Sequence, residues 1–348
     1  MGKVIVLGAT GTLGLPICRH LHSLGYDVLA VGHSSSGEKL FSNLGIESTK
    51  IDVSDKGTFS ALPTSNVDCV INFAGCLPAM MKESDSNTLY SDTIVRATIN
   101  VLDYMVAVGC KKIIFPQSVY DTNYLFGSPT PIPANATRQN PHHGDHAVYV
   151  ICKNAAIDII EYYENTYDIQ GIILRLPGIF QYHPKPYILI NGNKRIKLER
   201  VWIEKAKAGE PLEIWGDCHR VLESICVEDF LQIVEKCVES STARGIYNVG
   251  SGGTSLENRV LAIRDVFCPK DHLSEVLYYP EKADCTQYVL DISKTIEELN
   301  YKPEYTWKDY LIQLKWHMET QPNKEIWGAF EDYYDLLRSI KSDTDRYK

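Results

Sequence analysis

Short apolar runs alternate along the first half of the chain with longer stretches whose apolar positions recur every three or four residues. The runs are Lys3–Leu7, Asp27–Val31, Glu47–Ile51, Asp68–Phe73, Lys112–Phe115 and Gly171–Leu174. They read as apolar throughout, the pattern of strands covered on both faces. Helical stretches fall between them at Leu13–Leu24, Ser86–Val108 and Ala147–Tyr167. This alternation predicts βαβ units, and therefore an α/β fold with a doubly wound parallel sheet. After Arg175 the pattern changes, with Pro177, Pro184, Pro186, Gly192, Pro211 and Gly216 punctuating shorter elements. A smaller lobe is expected there, with a helix at Val227–Ser240, a strand at Gly245–Val249 and helices at Leu256–Phe267 and Trp307–Glu319. The expected division is a sheet domain over residues 1–175 to which later segments return, a substrate lobe over 176–320, and a helical tail over 321–348. In that tail Trp327, Phe330, Tyr334 and Leu337 fall on one helical face. Leu125–Asp145, rich in Pro, Asn and His, reads as an exposed loop near the site.

Composition narrows the functions available. Of 348 residues 44% are hydrophobic and 23% charged, which excludes disorder as the main state. Lys and Arg number 35 against 44 Asp and Glu, a formal net charge of -9. No global field draws such a chain to nucleic acid or to an anionic membrane, so neither is an expected partner. Phosphate groups must be met locally. The ten cysteines are scattered without a C-x-x-C pair, as expected of reduced thiols in a cytoplasmic protein and not of a disulfide framework or a metal site. The chain opens on a strand-like run, so no targeting peptide is expected, and no apolar run approaches the roughly 18–20 residues of a membrane span.

Gly8-Ala9-Thr10-Gly11-Thr12-Leu13-Gly14 follows the first strand and opens the first helix. Glycines there allow a tight turn and close backbone approach, and the helix N-terminus offers N–H groups to a pyrophosphate. The spacing is G-x-x-G-x-x-G, and its place at the head of a βαβ series favours dinucleotide binding over a bare turn. The second strand ends in Val31-Gly32-His33-Ser34-Ser35-Ser36, without the acid that grips a ribose 2′-hydroxyl. His33, Ser34 and Ser35 are therefore candidates to meet a 2′-phosphate, and NADP is slightly favoured over NAD; the alternative is a polar loop that touches nothing. Asp52 and Val53 are placed at the adenine, and Phe73, Ala74 and Gly75 form an edge along which the cofactor lies.

Tyr149 and Lys153 stand one helical turn apart on one face. A lysine at that distance is expected to lower the phenol pKa, letting the tyrosine exchange a proton near neutral pH. Among 21 tyrosines the pattern arises easily by chance. Its place in the helix after the fifth strand, and Ser118 at the end of that strand, change its weight, because open α/β sheets bind ligands at that edge.

With these pieces in order the chain resembles an extended short-chain dehydrogenase/reductase, of the NAD(P)-dependent nucleotide-sugar epimerase/dehydratase family. The matching pieces run from the glycine loop through Ile51-Asp52-Val53, Asn72-Phe73-Ala74-Gly75, Ser118-Val119-Tyr120, Tyr149/Lys153 and Ile173-Leu174-Arg175. They continue in Ile214-Trp215-Gly216-Asp217, Val227-Glu228-Asp229 and Tyr247-Asn248-Val249-Gly250. The resemblance implies a Rossmann domain holding NAD(P), with Pro177 also at the cofactor, and a lobe holding a nucleotide sugar. It implies Tyr149 as acid/base, Lys153 as the residue that orients the ribose and tunes Tyr149, and Ser118 on the reacting oxygen. A homodimer through the helices at Ser86–Val108 and Ala147–Tyr167 is implied in the same way.

Departures from the family pattern narrow the reaction. Members that dehydrate or decarboxylate carry acids beside the Ser118 position, whereas here the neighbours are Pro116, Gln117 and Val119. The arginine expected for the sugar diphosphate is replaced by Leu222, with Arg220 two positions earlier as a substitute. Asn193–Arg200 is a basic island whose Lys194 and Arg195 are candidates for phosphate recognition, the alternative being a solvated helix start. His183 is a candidate second acid/base against a solvated loop residue, and Cys76 a candidate at the nicotinamide edge against a small buried hydrophobe. The expected activity is hydride transfer at C4 of a nucleotide sugar, as epimerase or 4-ketoreductase. The competing class is a redox-sensing or scaffold protein that binds the dinucleotide without turnover.

Overall fold

The computed structural model describes residues 2–333. The chain lays down β1 (Lys3–Leu7), α1 (Gly14–Ser23), β2 (Val28–Gly32), β3 (Glu47–Lys50), β4 (Val67–Asn72), α2 (Ala97–Val108), β5 (Lys112–Ser118), α3 (Ala147–Tyr167) and β6 (Gln170–Leu176). Beyond β6 come the hairpin strands β7 (Tyr187–Ile190) and β8 (Asn193–Ile196), then α4 (Leu198–Lys207), α5 (Val227–Glu239), β9 (Gly245–Asn248), α6 (Leu256–Phe267) and α7 (Trp307–Thr320). Strand β9 returns to the main sheet beside β6, giving seven parallel strands in the order β9-β6-β5-β4-β1-β2-β3. The order reverses between β1 and β4, where open α/β sheets leave a ligand crevice beyond their carboxyl ends.

Alternate residues of each inner strand face opposite cores. Val4, Val6, Val28 and Ala30 pack on one side with Leu15, Cys18 and Leu21 of α1 and Phe230 and Ile233 of α5. Ile5, Leu7, Leu29 and Val31 pack on the other with Val101 and Met105 of α2 and Val150, Ile157 and Ile160 of α3. Covering on both faces explains the unbroken apolar runs. Strand β3 departs from that reading: Glu47–Lys50 is polar and half-exposed because it forms the sheet edge.

Four further readings are corrected. The single helix expected over Ser86–Val108 is interrupted, with a π turn at Ser91–Arg96 ahead of α2. The fifth strand runs on to Ser118 through Pro116. That proline lies past the last β4 pairing, Ile71 with Ile114, so its missing N–H removes no ladder bond on that side. Asn193–Ile196 is a strand, and the helix of the basic island starts only at Leu198. The tail forms a turn of helix at Lys324–Trp327 and a 3-10 turn at Phe330–Tyr333, separated by Gly328, and Tyr334 and Leu337 lie outside the described residues.

The loop over Leu125–Asp145 is not simply exposed. Ile132 is buried and its N–H donates to the Val289 carbonyl at 2.8 Å. Arg175, fully buried, donates to the Ala134 carbonyl at 3.1 Å and to Asn248 Oδ1 at 3.0 Å, and grips Asp121 through Nε and Nη2 at 2.9 and 3.0 Å. Asp121→Ala strips the partner from a buried guanidinium, and a loss of about 3–5 kcal/mol in unfolding free energy is expected. Urea denaturation checks this; a loss under about 1 kcal/mol would mean water already reaches the pair.

Candidate functional site

The glycine loop closes onto the ends of β2 and β4, the two strands on either side of β1. The N–H groups of Gly8 and Ala9 both donate to the Val31 carbonyl at 3.0 Å, and that of Gly11 to the Gly8 carbonyl at 2.9 Å. Gly8 has φ +82°, and a Cβ on it would stand 2.7 Å from the Phe73 carbonyl oxygen. A Cβ on Gly14 would meet the Gly8 carbonyl. Substitution at either position forces backbone apart. Leu13 gives α1 no side-chain cap and its first turn holds no acid, so the helix's positive end stands unopposed, although the Leu15 N–H is bonded to the Gly11 carbonyl at 3.2 Å and Pro16 has no N–H. Gly11 and Thr12 are exposed there, and Asn72 Oδ1, buried at the end of β4, has no hydrogen-bond partner among the described residues. This cradle fits a dinucleotide pyrophosphate.

At the next strand end His33 and Ser35 are exposed and Ser34 is half-buried, its hydroxyl 2.9 Å from that of Ser36. No carboxylate stands between Gly32 and Gly37. Asp52 accepts from both the N–H and hydroxyl of Ser54, which hold its carboxyl below the usual range. The Val53 carbonyl accepts from Asn100 Nδ2 at 3.0 Å. Phe73 packs edge-on against Phe230, Gly75 lies exposed beside the π turn, and Pro177 is half-buried past the end of β6.

Tyr149 and Lys153 both turn from α3 into the sheet side, with 7% and 3% of their surface exposed. Lys153 Nζ donates to the Pro116 carbonyl at 2.9 Å and lies 4.4 Å from the Phe115 ring centre and 5.7 Å from that of Tyr149. Burial pushes the lysine down to about 7. Burial also pushes the Tyr149 phenol up, with Tyr90 and Cys76 adding to it. The expected lowering of the phenol is therefore reversed in this state. The reason is mutual: a lysine that is itself half-neutral near pH 7 lends little charge, and desolvation of the phenolate outweighs it. The Tyr149 phenol is therefore neutral here. Ser118 caps the turn after β5 by accepting from the Tyr120 N–H at 3.3 Å, leaving its O–H to donate. Gln117 Nε2 donates to Asn154 Oδ1 at 2.7 Å, while Gln117 Oε1 accepts from the Ser118 N–H, clamping the end of β5 to α3.

Sequence reasoning missed Tyr90, whose ring centre lies 5.8 Å from that of Tyr149, and the Gln117–Asn154 clamp. Tyr90 carries no motif. The clamp had a signal, a polar residue inside an apolar strand. Cys76 is drawn to the same cluster, its thiol pushed up by burial and Asp85, and its Sγ 3.4 Å from Met81 Sδ.

The residues proposed for substrate fall into different surroundings. Lys194 and Arg195 are exposed on β8. Arg200 of the same island is buried; its Nη2 donates to the His183 carbonyl at 3.0 Å and its Nη1 has no hydrogen-bond partner among the described residues. His183 is no solvated loop residue. Its Nδ1 accepts from the Lys185 N–H at 3.1 Å, and burial with Lys197, Lys185 and Arg200 nearby pushes it down to about 4. Arg220 is buried, bonded to the Trp215 carbonyl at 2.8 Å and paired with Asp284. Its charge is thus met within the protein.

Residues 4–250 match the model of the NAD dependent epimerase/dehydratase family. UDP-glucose 4-epimerase 4 of Oryza sativa subsp. japonica is 27% identical over 333 residues, covering 87% of this chain and 86% of that protein. Probable GDP-L-fucose synthase 1 of the same plant is 23% identical over 330 residues, covering 91% and 92%. The crystal structure of UDP-glucose 4-epimerase from Bifidobacterium longum, in complex with NAD+ and UDP, overlays with a TM-score of 0.68 at 21% identity. That overlay covers 92% of this chain and 99% of the other, and shows a shared fold.

Proposed function

The chain belongs to the NAD dependent epimerase/dehydratase family, and on that premise we propose that it moves hydride between a nicotinamide dinucleotide and C4 of a nucleotide-activated sugar. The observation that carries this reading is the buried Tyr149–Lys153 pair set against the end of β5, at the sheet edge that also bears the glycine loop. When bound, the dinucleotide supplies the hydride acceptor and donor. The loop from Gly8 to Gly14 holds its pyrophosphate, the edge from Phe73 to Gly75 its length, and Lys153 its ribose. Tyr149 holds or releases the proton at its phenol oxygen, and the Ser118 hydroxyl donates to the reacting oxygen. The buried Arg200, with its Nη1 unpartnered among the described residues, and the half-buried Lys197 suit the sugar's diphosphate more than the exposed Lys194 and Arg195. Dehydration and decarboxylation lack a second proton carrier, since Pro116, Gln117 and Val119 flank Ser118.

Epimerase is the favoured form, and a 4-ketoreductase is kept because Tyr149 rests as a neutral acid, ready to protonate a reduced carbonyl oxygen. The state of the dinucleotide in purified protein separates them. Tightly retained NAD+ marks an epimerase, and readily exchanged NADPH a reductase. Protein that retains and binds neither would defeat the proposal. Exposed Ile99 and Val106 on α2, with Ile151 and Tyr162 on α3, support a homodimer through these helices. No described helix is long and apolar enough to cross a membrane, and the free cysteines favour a cytoplasmic setting.

The ribose edge yields a prediction about cofactor choice. His33, Ser34 and Ser35 present donors and no carboxylate, so NADP(H) is expected to bind at least as tightly as NAD(H). Ser34→Asp is expected to reverse that order through repulsion of the 2′-phosphate. Calorimetric titration of both cofactors into both proteins decides it. Wild-type preference for NAD(H), unchanged in the variant, would show that this loop does not read the ribose.

A further inference from the structure

Helix α7 ends at Thr320, and Gln321, in the left-handed conformation, turns the chain back toward the glycine loop. Gln321 ties the returning segment to itself: its Oε1 accepts from the Phe330 N–H and its Nε2 donates to Glu331 Oε1, both at 2.7 Å. Between these ends lies Trp327, 8% exposed, whose indole N–H donates to the carbonyl of Thr10 at 3.1 Å. Thr10 belongs to the glycine loop, 317 residues away. The other side of the indole stacks on the ring of His183, with centres 5.3 Å apart and planes 26° apart. A second aromatic contact, Tyr333 edge-on to Tyr187 at 6.0 Å, fastens the segment to the start of β7. Residues from both sides of the crevice thus converge on one tail side chain. The loop proposed for the dinucleotide meets it at Thr10, and the stretch of the lobe that carries His183 and Lys185 meets it through the stack.

We infer that Trp327 is a positioning residue for dinucleotide binding, the Gln321–Tyr333 segment acting as a strap that holds the glycine loop and the His183–Tyr187 stretch in register. This rests on the proposed function. The physical reason lies in the loop's composition. Three glycines in seven residues give it more conformational freedom to lose on ordering than an ordinary stretch of that length, and every ligand that needs the loop in one shape bears that cost. A hydrogen bond to a carbonyl inside the loop, delivered from a ring wedged against the opposite lobe, removes part of the cost before the ligand arrives. Loss of that contact is then expected to show mainly as faster release of the dinucleotide. Because one ring touches both sides, loosening it is expected to weaken the nucleotide sugar as well.

The test is stopped-flow release of NADH from wild type, Trp327→Ala and Trp327→Phe, beside steady-state kinetics with a nucleotide sugar. Loss of one hydrogen bond with its packing corresponds to roughly a tenfold faster release in Trp327→Ala. Trp327→Phe keeps a ring against His183 but no N–H, and about threefold is expected. Both variants should raise KM for the sugar nucleotide while kcat at saturating cofactor stays within about twofold, a split that general unfolding would not produce. Release at the wild-type rate in both variants overturns the strap. Slower release or tighter binding in Trp327→Ala also overturns it, making the tail an obstruction. Wild-type protein that binds no dinucleotide overturns the proposed function and this inference with it, and is distinguishable because the wild-type trace alone reveals it.

Discussion

Tyr149→Phe is expected to cut turnover by about 10²- to 10⁴-fold while leaving dinucleotide affinity within a few-fold. The substitution removes one oxygen and keeps the ring that packs against Tyr90 and His146. The fold around α3 should survive, because the ring and not the hydroxyl fills that space. The phenol also sits where loss of its proton is disfavoured by burial, so the oxygen's contribution is specific to the reacting complex and not to holding the free protein together. A variant that kept more than about half the wild-type rate would remove Tyr149 from the chemistry. The Tyr149–Lys153 pair would then be a structural feature of α3.

Lys153→Met is expected to act on binding, rate and stability in different directions. It removes the ammonium proposed to meet the ribose, so dinucleotide affinity should fall about tenfold or more, as for loss of a charge-assisted hydrogen bond. Turnover should fall with it. Stability should rise at neutral pH. The lysine titrates near 7 in the folded protein against 10.5 when unfolded. Between those values the unfolded chain holds a proton that the native state lacks, so the wild type loses stability as pH falls from about 10.5 to 7 and is level below that. Methionine carries no such cost. The variant's advantage, on the order of 4 kcal/mol at pH 7 before the lost hydrogen bond to the Pro116 carbonyl is set against it, should shrink toward zero as pH approaches 10. Urea denaturation at pH 7 and pH 10 measures both ends. An advantage that stayed constant with pH would mean that Lys153 is charged in the native state throughout. Unchanged cofactor affinity would count against its ribose role.

Much of this molecule can be read from the chain alone because local rules and tertiary packing agree in its first half. Apolar runs buried on both faces mark the inner strands, and the glycine loop lies where the chain turns from β1 into α1. The expected span of α3, Ala147–Tyr167, is the span observed. What escaped has physical reasons. Strand β3 is polar because it is an edge, so no apolar run announces it. The π turn at Ser91–Arg96 runs directly into α2 within one continuous helical stretch, so recurring apolar positions do not mark it off from regular helix. The hidden anchoring of Leu125–Asp145 depends on Arg175, a buried charge whose partners come from Asp121, Ala134 and Asn248, far apart in sequence. The phenol's raised affinity for its proton could not be read from a four-residue spacing, because spacing says nothing of burial. Trp327 looked like one residue of an amphipathic helix, and only the fold brings it to Thr10.

Transfer of a labelled hydride tests the central claim most directly. Purified protein, loaded with oxidised dinucleotide, is mixed in ordinary water with UDP-, GDP- and dTDP-hexoses deuterated at C4, the reaction is acid-quenched within a single turnover, and both dinucleotide and sugar are weighed by mass spectrometry. The account predicts that with at least one of these sugars deuterium appears on the nicotinamide ring of the quenched, reduced dinucleotide in the wild type, passing back to C4 of the product in an epimerase, and that none above background appears in Tyr149→Phe. Sugar converted by the wild type with its C4 deuterium lost to water, and an unlabelled dinucleotide, would contradict it.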